Sequence, residues 1–258
     1  MRMRNVIVAL LLISTPAMAQ VPRTPDGKPD LNGIWQALNE ANWDIEAHVA
    51  APPALTATGA VGATPPGMGI VEGGVIPYQA SAIAKKKDNY KNRMSLDPEV
   101  KCYLPGVPRA TYMPQPFQIF QTAKDIMIAY QYAGAVRTIQ MNDPGPAPAD
   151  SWMGWSVGRW EGDTLVVDVT SQSDQTWFDR AGNFHSDALH VVERYTPISP
   201  GHLLYEATIE DPNVFTRPWK ISMPLYRRVE KNARLMEFKC VEFVEELLYG
   251  RLRKRTAR

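Results

Sequence analysis

The chain has 258 residues, of which 45% are hydrophobic and 21% charged, and its formal net charge is +1. Without the first nineteen and the last eight residues, 21 basic side chains stand against 27 acidic ones, so the body carries −6. A body of that sign is a poor match for a phosphate backbone, whose binding needs clustered Lys and Arg. We therefore predict no nucleic-acid partner.

The first nineteen residues have the three parts of a cleavable secretory signal. Arg2 and Arg4 provide positive charge, residues 6–13 are all apolar, and Ala17-Met18-Ala19 is a small-x-small cleavage site. The apolar run is shorter than the roughly 20 residues that span a bilayer. We predict a periplasmic or secreted protein without stable membrane insertion, whose mature chain begins near Gln20.

Residues 20–114 are predicted to form a mostly irregular N-terminal region. Within it, residues 49–77 are dense in Ala, Gly, Pro and Thr and have neither helical nor strand periodicity. A short helix is predicted over residues 81–92, where Ala82, Ile83 and three successive lysines are acceptable helix formers.

From residue 115 the pattern changes to short alternating runs separated by turn residues. Tight turns such as that at residues 161–163 predict antiparallel neighbours in a meander that forms a barrel or a sandwich. Closure removes exposed strand edges, so we predict an all-β antiparallel barrel of about eight to ten strands over residues 115–250, followed by a solvated basic tail at 251–258. The predicted strands cover residues 116–122, 125–132, 135–141, 153–160, 164–170, 187–196, 202–210, 218–227 and 234–244.

Strand alternation predicts which side chains face the interior, because successive residues of a strand point to opposite faces. Charged residues fall among the apolar ones: Glu193 in the run at 187–196, Arg137 in the run at 135–141, and Arg227 at the end of the run at 218–227. The predicted apolar inward positions are Leu189, Val191, Tyr195, Leu203, Tyr205, Ala207, Ile209, Trp219, Ile221, Met223 and Leu225.

The chain has two cysteines, Cys102 and Cys240. An even pair in an oxidising compartment predicts a disulfide. Two free buried thiols are the alternative.

Several motifs resemble known proteins. The sequence DLNGIW at residues 30–35 resembles the Gly-x-Trp that opens the first strand of lipocalin-like barrels, where the Trp closes the barrel floor and an Arg packs over it. The wider set resembles an uncharacterised family of secreted bacterial proteins, which implies a lipocalin-like barrel but no activity. That resemblance rests on PDGKPDL at 25–31, GRWEGDTL at 158–165, HVVER at 190–194, EDP at 210–212 and RPW at 217–219.

The sixteen residues 171–186 connect two predicted strands in a protein whose other turns are mostly tight. Loops of that length are uncommon unless they are functional or disordered, and this one contains Trp177, Phe178 and Phe184 beside His185. We predict that it covers a ligand at the barrel rim. The predicted substrate-binding residues are Trp177, Tyr205, Arg217 and Trp219.

The candidate catalytic residues are His185, Asp187 and Glu193, with His190 kept as a fourth. His185 and Asp187 have the i, i+2 spacing that puts both on one face of a strand, where a carboxylate orients an imidazole for acid/base catalysis. An inward Glu193 is expected to have a perturbed pKa, as groups at functional sites often do. The alternative for Glu193 is a structural ion pair with Arg137 or Arg227.

Other chemistries are less well supported. His190 has the opposite parity and should face outward. His185, Asp187, His190 and Glu193 cannot all converge on a metal from a straight strand, so we predict no metal site. The chain has no Gly-x-Ser-x-Gly, and Ser156 lacks the context of a hydrolase nucleophile.

Two functions from different classes remain open. The first is a cofactor-independent enzyme, of isomerase, lyase or hydratase type, acting on a small, partly apolar substrate. The second is a ligand-binding or carrier protein without catalysis. A carrier needs an apolar pocket with a few hydrogen bonds, whereas the enzyme needs a proton-transfer pair beside one ligand position.

Overall fold

A computed structural model describes residues 20–53 and 56–252 of the chain; the predicted signal and most of the basic tail lie outside these ranges. Nine strands form one closed barrel in chain order, which confirms the predicted all-β barrel. The strands are β1 Gly33–Ala37, β2 Phe117–Gln121, β3 Asp125–Tyr130, β4 Val136–Gln140, β5 Trp155–Glu161, β6 Thr164–Thr170, β7 His190–Ser199, β8 His202–Glu210 and β9 Trp219–Arg227.

Helices are short and lie outside the barrel wall. The helix α1, Ala80–Lys91, confirms the one predicted over residues 81–92. The others are α2 Arg93–Leu96 and α3 Val244–Tyr249, with 3₁₀ turns at Thr56–Gly62, Pro98–Lys101, Arg109–Tyr112, Tyr132–Gly134 and Gly250–Leu252. None of the helices among the described residues has the length and apolar character needed to cross a membrane.

The barrel differs from the predicted meander in its first and its last strand along the sequence. Strand β1 comes from the region predicted to be irregular, and it closes the barrel by pairing with both β2 and β9. The strand predicted at residues 234–244 is wrong, because that segment has no strand and leads into α3. The reason is geometric: once β1 pairs with β9, no free edge remains for a further strand.

One strand pair also departs from the prediction. Strands β4 and β5 are parallel, with Ile139 opposite Ser156 and Gln140 opposite Val157, whereas the other eight pairs are antiparallel. A parallel pair needs a crossover of a dozen or so residues, and residues 141–154 provide it. Therefore β2, β4, β5, β7 and β9 all begin at one end of the barrel, which we call the upper end.

Strand alternation is confirmed across the interior. The predicted inward residues of β7, β8 and β9 are all buried, and so are Glu193 and Arg137. The disulfide is confirmed as well: Cys102 and Cys240 are bonded, with 5.6 Å between their Cα atoms.

Trp35 of β1 is buried in the core and lies opposite the last residue of β9. Its indole Nε1 donates to the Leu31 carbonyl at 2.9 Å, and the guanidinium of Arg227 lies 4.7 Å from the ring centroid. Gly33 leaves room for Arg227, because a Cβ at Gly33 would lie 3.2 Å from Nη1 of Arg227. An arginine thus packs over Trp35, while the lipocalin-like resemblance and membership of the secreted family stay predictions.

The upper end is covered by two segments, residues 97–113 and 171–186, which we call the cap. Tyr112 donates from its hydroxyl to the Phe178 carbonyl at 2.9 Å, and Val107 donates from its backbone N–H to Gln172 Oε1 at 2.9 Å. Arg180 joins the two segments through Glu99, at 2.6 Å between Nη2 and Oε1. The long predicted loop is therefore packed as a lid and joined to the N-terminal region.

Candidate functional site

Glu193 lies at the centre of a polar cluster in the upper half of the barrel. Its side chain has no exposure and it sits opposite Val167 of β6 and Ala207 of β8. Oε1 accepts hydrogen bonds from the hydroxyls of Tyr195, at 3.0 Å, and Tyr205, at 2.8 Å. Oε2 forms a close ion pair with Arg137. Of the two roles open for Glu193, the structure shows the ion pair with Arg137.

Arg137 is held by only one of its nitrogens. Nη2 donates to Glu193, whereas Nε and Nη1 are buried without a hydrogen-bond partner among the described residues. A guanidinium carries five N–H donors, so most of the donor capacity of Arg137 is left over.

Three buried hydroxyls on the same side of the barrel interior also lack a hydrogen-bond partner. Thr111 Oγ1, Tyr130 Oη and Ser156 Oγ have no hydrogen-bond partner among the described residues. Thr111 and Arg137 both lie close enough to Tyr130 to lower its pKa, but no hydrogen bond of ordinary geometry forms between them. We call Thr111, Tyr130, Arg137, Ser156 and Glu193 the interior niche.

Strand pairing explains how the niche is assembled. Arg137 lies opposite Ile128 in β3, and Tyr130 is two residues further along the same inward face. Ser156 faces inward from β5 opposite Ile139, which is two residues after Arg137. Thr111 belongs to the 3₁₀ turn of the cap and is 1% exposed, so the cap contributes one wall of the niche.

The electrostatic environment keeps the tyrosines and Arg137 protonated, so they remain hydrogen-bond donors. Burial raises the pKa of Tyr130 to about 12, against the opposing charge of Arg137. Burial and the charge of Glu193 raise the pKa of Tyr195 and Tyr205 well above the usual value. For Arg137, burial acts to lower the pKa, but the Glu193 carboxylate outweighs it and raises the pKa. The niche is thus a neutral ion pair surrounded by protonated hydroxyls.

His185 and Asp187 do not form the predicted pair. The ring of His185 is buried, with Nε2 2.6 Å from Thr176 Oγ1 and Nδ1 2.8 Å from the Ser186 carbonyl oxygen. Asp187 is exposed. Burial also lowers the pKa of His185. The prediction of an oriented His–Asp pair is wrong, because the strand begins only at His190 and the i, i+2 rule does not hold in the loop before it.

His190 faces outward, as its parity predicts. Nε2 lies 3.2 Å from Asp168 Oδ1 and Nδ1 lies 3.9 Å from Glu210 Oε2. Among the described residues, no group of three or more His, Cys, Asp or Glu side chains could hold a metal ion.

The four predicted substrate-binding residues are separated by the structure. Tyr205 lies beside the niche as a donor to Glu193. Trp177 is buried in the cap, and Trp219 packs its ring 5.6 Å from Phe178 of the cap. Arg217 is exposed and donates to the Pro218 carbonyl at 3.2 Å, so the structure does not bring it together with the other three.

Three niche residues were missed at the sequence level. Tyr130 and Ser156 carry a usable signal, because each falls on the inward parity of its strand. Ser156 was considered only as a nucleophile, and Tyr130 was not considered. Thr111 lies in a segment without periodicity, and only the packing of the cap brings it to the niche.

Comparison with known proteins adds no assignment. No family model, no curated protein and no solved structure matches the chain. Any ligand must therefore be inferred from the residues of the niche.

Proposed function

We propose that the protein is an exported small-molecule-binding barrel whose ligand places a neutral acceptor oxygen, such as a carbonyl, in the interior niche. The observation that carries this is the set of buried donors without partners on Thr111, Tyr130, Arg137 and Ser156. In proteins, the large majority of buried side-chain polar atoms have a hydrogen-bond partner. Thr111 and Arg137 both interact with Tyr130, and Ser156 faces the same interior from β5, so we infer an oxygen acceptor for these donors.

The charge balance favours a neutral ligand over an anion. Arg137 is already compensated by Glu193, so a bound carboxylate would leave one uncompensated negative charge in the interior. Burying such a charge is unfavourable unless it is paired. A ketone, ester or amide oxygen would accept the same hydrogen bonds without that penalty.

The neighbours of the niche favour a partly apolar ligand. The inward residues beside it are aliphatic and fully buried: Ile128, Ile139, Val167 and Val191. A ligand with one polar oxygen and a compact hydrocarbon body would match these walls. Because the cap covers the upper end, binding through that end would require the cap to move, which slows association.

The test is a thermal-shift and calorimetric screen of small ketones, esters and amides, each with its matched hydrocarbon. We expect stabilisation by the carbonyl compounds alone. In the Tyr130→Phe variant the affinity should fall about tenfold, the value of one hydrogen bond. Tyr226 lies outside the barrel, so Tyr226→Phe should leave the affinity unchanged. Equal affinity in wild type and Tyr130→Phe would contradict the proposal.

Acid/base catalysis on the bound ligand, of lyase or isomerase type, is the second candidate. It is supported by a carboxylate and a tyrosine hydroxyl in the same niche. Glu193 accepts from three donors, which favours a positioning role and puts binding first. The rate at which protons of the bound ligand exchange for deuterium in deuterated buffer distinguishes an enzyme from a carrier. An enzyme would catalyse exchange, and Glu193→Gln would slow it about 10²-fold with similar ligand affinity; a carrier would leave exchange at the uncatalysed rate.

A further inference from the structure

The segment after β9 lies outside the closed barrel and is attached to the body at few points. We call residues 228–252 the strap. Cys240 is bonded to Cys102 of the body, and Phe243 donates from its backbone N–H to the Val100 carbonyl at 2.7 Å. The helix α3 within the strap has no buried residue. Met236 also donates from its backbone N–H to Gln131 Oε1 at 2.9 Å, and the disulfide is the covalent tether of the strap.

A cleft of about 270 Å³ lies between the strap and the body. The ring of Phe238, from the strap, packs 5.1 Å from the ring of Tyr132 across it. Apolar side chains form half of the lining from the body, Met94, Val100 and Tyr132, and most of the lining from the strap, including Phe238, Phe243 and Val244. Phe243 has a φ of 51°, a conformation that is rare for a bulky residue and is found more often at ligand sites.

The polar groups of this cleft define the chemistry of a ligand. Oε1 of Gln115 is buried and has no hydrogen-bond partner among the described residues. Glu99 and Arg180 form an ion pair at 2.6 Å. The other charged residues of the lining, Lys239, Glu245 and Glu246, belong to the strap, and Lys239 and Glu246 are exposed to solvent. A hydroxyl both donates and accepts, so it suits the Gln115 amide in either orientation.

The size of the cleft favours a single substituted ring. An apolar cavity of about 150 Å³ is sufficient to bind benzene, and this cleft is larger and lined by three aromatic side chains, those of Tyr132, Phe238 and Phe243. We propose that the cleft is a second binding site, for a small neutral phenol, and that it is complete only when the Cys102–Cys240 disulfide holds the strap in place. This site is separate from the interior niche and does not rest on the proposed function.

The first experiment tests the polar contact. The protein is titrated with 4-methylphenol and with toluene, followed by calorimetry and by the NMR signal of the Gln115 side-chain amide. We expect 4-methylphenol to bind at least about tenfold more tightly than toluene and to shift that signal. Gln115→Met keeps the size and removes the acceptor, so the preference should disappear. Gln175 is exposed in the cap, and Gln175→Met should retain the preference.

The second experiment tests the strap. The double variant Cys102→Ser, Cys240→Ser should lose binding of both probes. If that variant does not fold, as judged by near-ultraviolet circular dichroism, Phe238→Ala in the oxidised protein should weaken both probes about tenfold through loss of the ring contact. Tyr130→Phe should bind 4-methylphenol like the wild type, which separates this site from the niche.

Three results would overturn the proposal. The first is an absence of 4-methylphenol binding at millimolar concentration. The second is binding that leaves the Gln115 signal unmoved. The third is full affinity in the folded disulfide variant or, where that variant does not fold, in Phe238→Ala.

Discussion

Two buried arginines, one in the cap and one in the barrel, are partnered very differently. The side chains of Arg109 and Arg137 are each 1% exposed. In Arg109, Nε donates to Asn42 Oδ1 at 2.9 Å, Nη1 to Asp97 Oδ1 at 2.8 Å, and Nη2 to Glu99 Oε2 at 2.7 Å. In Arg137, only Nη2 has a partner.

The difference separates an arginine that holds a structure together from one that is available to a ligand. Arg109 joins two carboxylates and an amide from two parts of the chain, and each of its three nitrogens is bonded. Arg137 is fixed by one carboxylate and retains donors that point into the interior. Burial and a charged partner alone would not distinguish them; the count of unpartnered nitrogens does.

The largest expected effect follows from replacing Arg109, the arginine whose three nitrogens are all hydrogen-bonded. Arg109→Met leaves Asp97 and Glu99 buried with less compensation, and such losses cost about 3–5 kcal/mol of stability. The double variant Arg137→Met, Glu193→Gln removes both charges of the barrel pair together and keeps an acceptor for Tyr205. Its stability should stay within about 1 kcal/mol of the wild type. Urea denaturation measures both; equal losses would remove the distinction between the two arginines.

The stability contributed by the cap should also depend on pH. Burial, followed by the charge of Asp44, raises the pKa of Asp179 from 3.8 to about 7. Between these values the unfolded chain loses the proton and the folded chain keeps it, so the contribution of Asp179 to stability is present below pH 3.8 and is lost as pH rises through about 7.

The variant Asp179→Asn isolates this contribution. It should show a weaker decline of stability between pH 4.5 and pH 7.5 than the wild type, because its side chain does not titrate. Asp174 is exposed in the same segment of the cap, and Asp174→Asn should follow the wild type. The measurement is the urea midpoint at the two pH values. Parallel slopes for Asp179→Asn and the wild type would show that Asp179 is ionised in the folded protein.

A smaller effect compares partnered and unpartnered tyrosines within the barrel. Tyr205 donates to a carboxylate at 2.8 Å, and hydrogen bonds to charged groups contribute about 1.5–3 kcal/mol. Tyr205→Phe should therefore destabilise the protein by about that amount. Tyr130→Phe removes a hydroxyl without a partner, so the ligand-free protein should keep its stability or gain slightly. A loss of similar size in both variants would mean that Tyr130 is bonded in solution.

The sequence predicts the interior better than the ends of the barrel. Alternation identifies Glu193, Arg137 and Tyr205 as inward residues, because one face of each strand must be buried. The same rule does not reveal which strands pair. The β1 run has only five residues, and its partner β9 lies far along the chain, so closure by these two strands depends on the complete fold.

The candidate site divides in the same way. Glu193 and Arg137 follow from strand parity and charge, and their pairing was one of two alternatives. Thr111 reaches the niche through an irregular segment, and His185 is held by Thr176 rather than Asp187. Neither contact can be predicted from the periodicity of the sequence, because loops bring side chains together by tertiary packing. The parallel β4–β5 pair was missed for the related reason that the direction of a pairing depends on the crossover between the strands.

The smallest expected effect concerns His190, on the outside of β7. Its side chain is 35% exposed and lies beside Asp168, which also pairs with Arg159. Exposed ion pairs contribute about 0–1 kcal/mol, and Asp168 keeps its arginine when the histidine is replaced. We expect His190→Gln to change stability by less than about 0.5 kcal/mol and to leave ligand affinity at the niche unchanged, because the side chain is on the opposite face of the strand from Glu193. Calorimetric titration with the best carbonyl ligand tests the second part. A clear loss of affinity in His190→Gln, with the fold intact, would move the binding site from the interior to the outer face of β7.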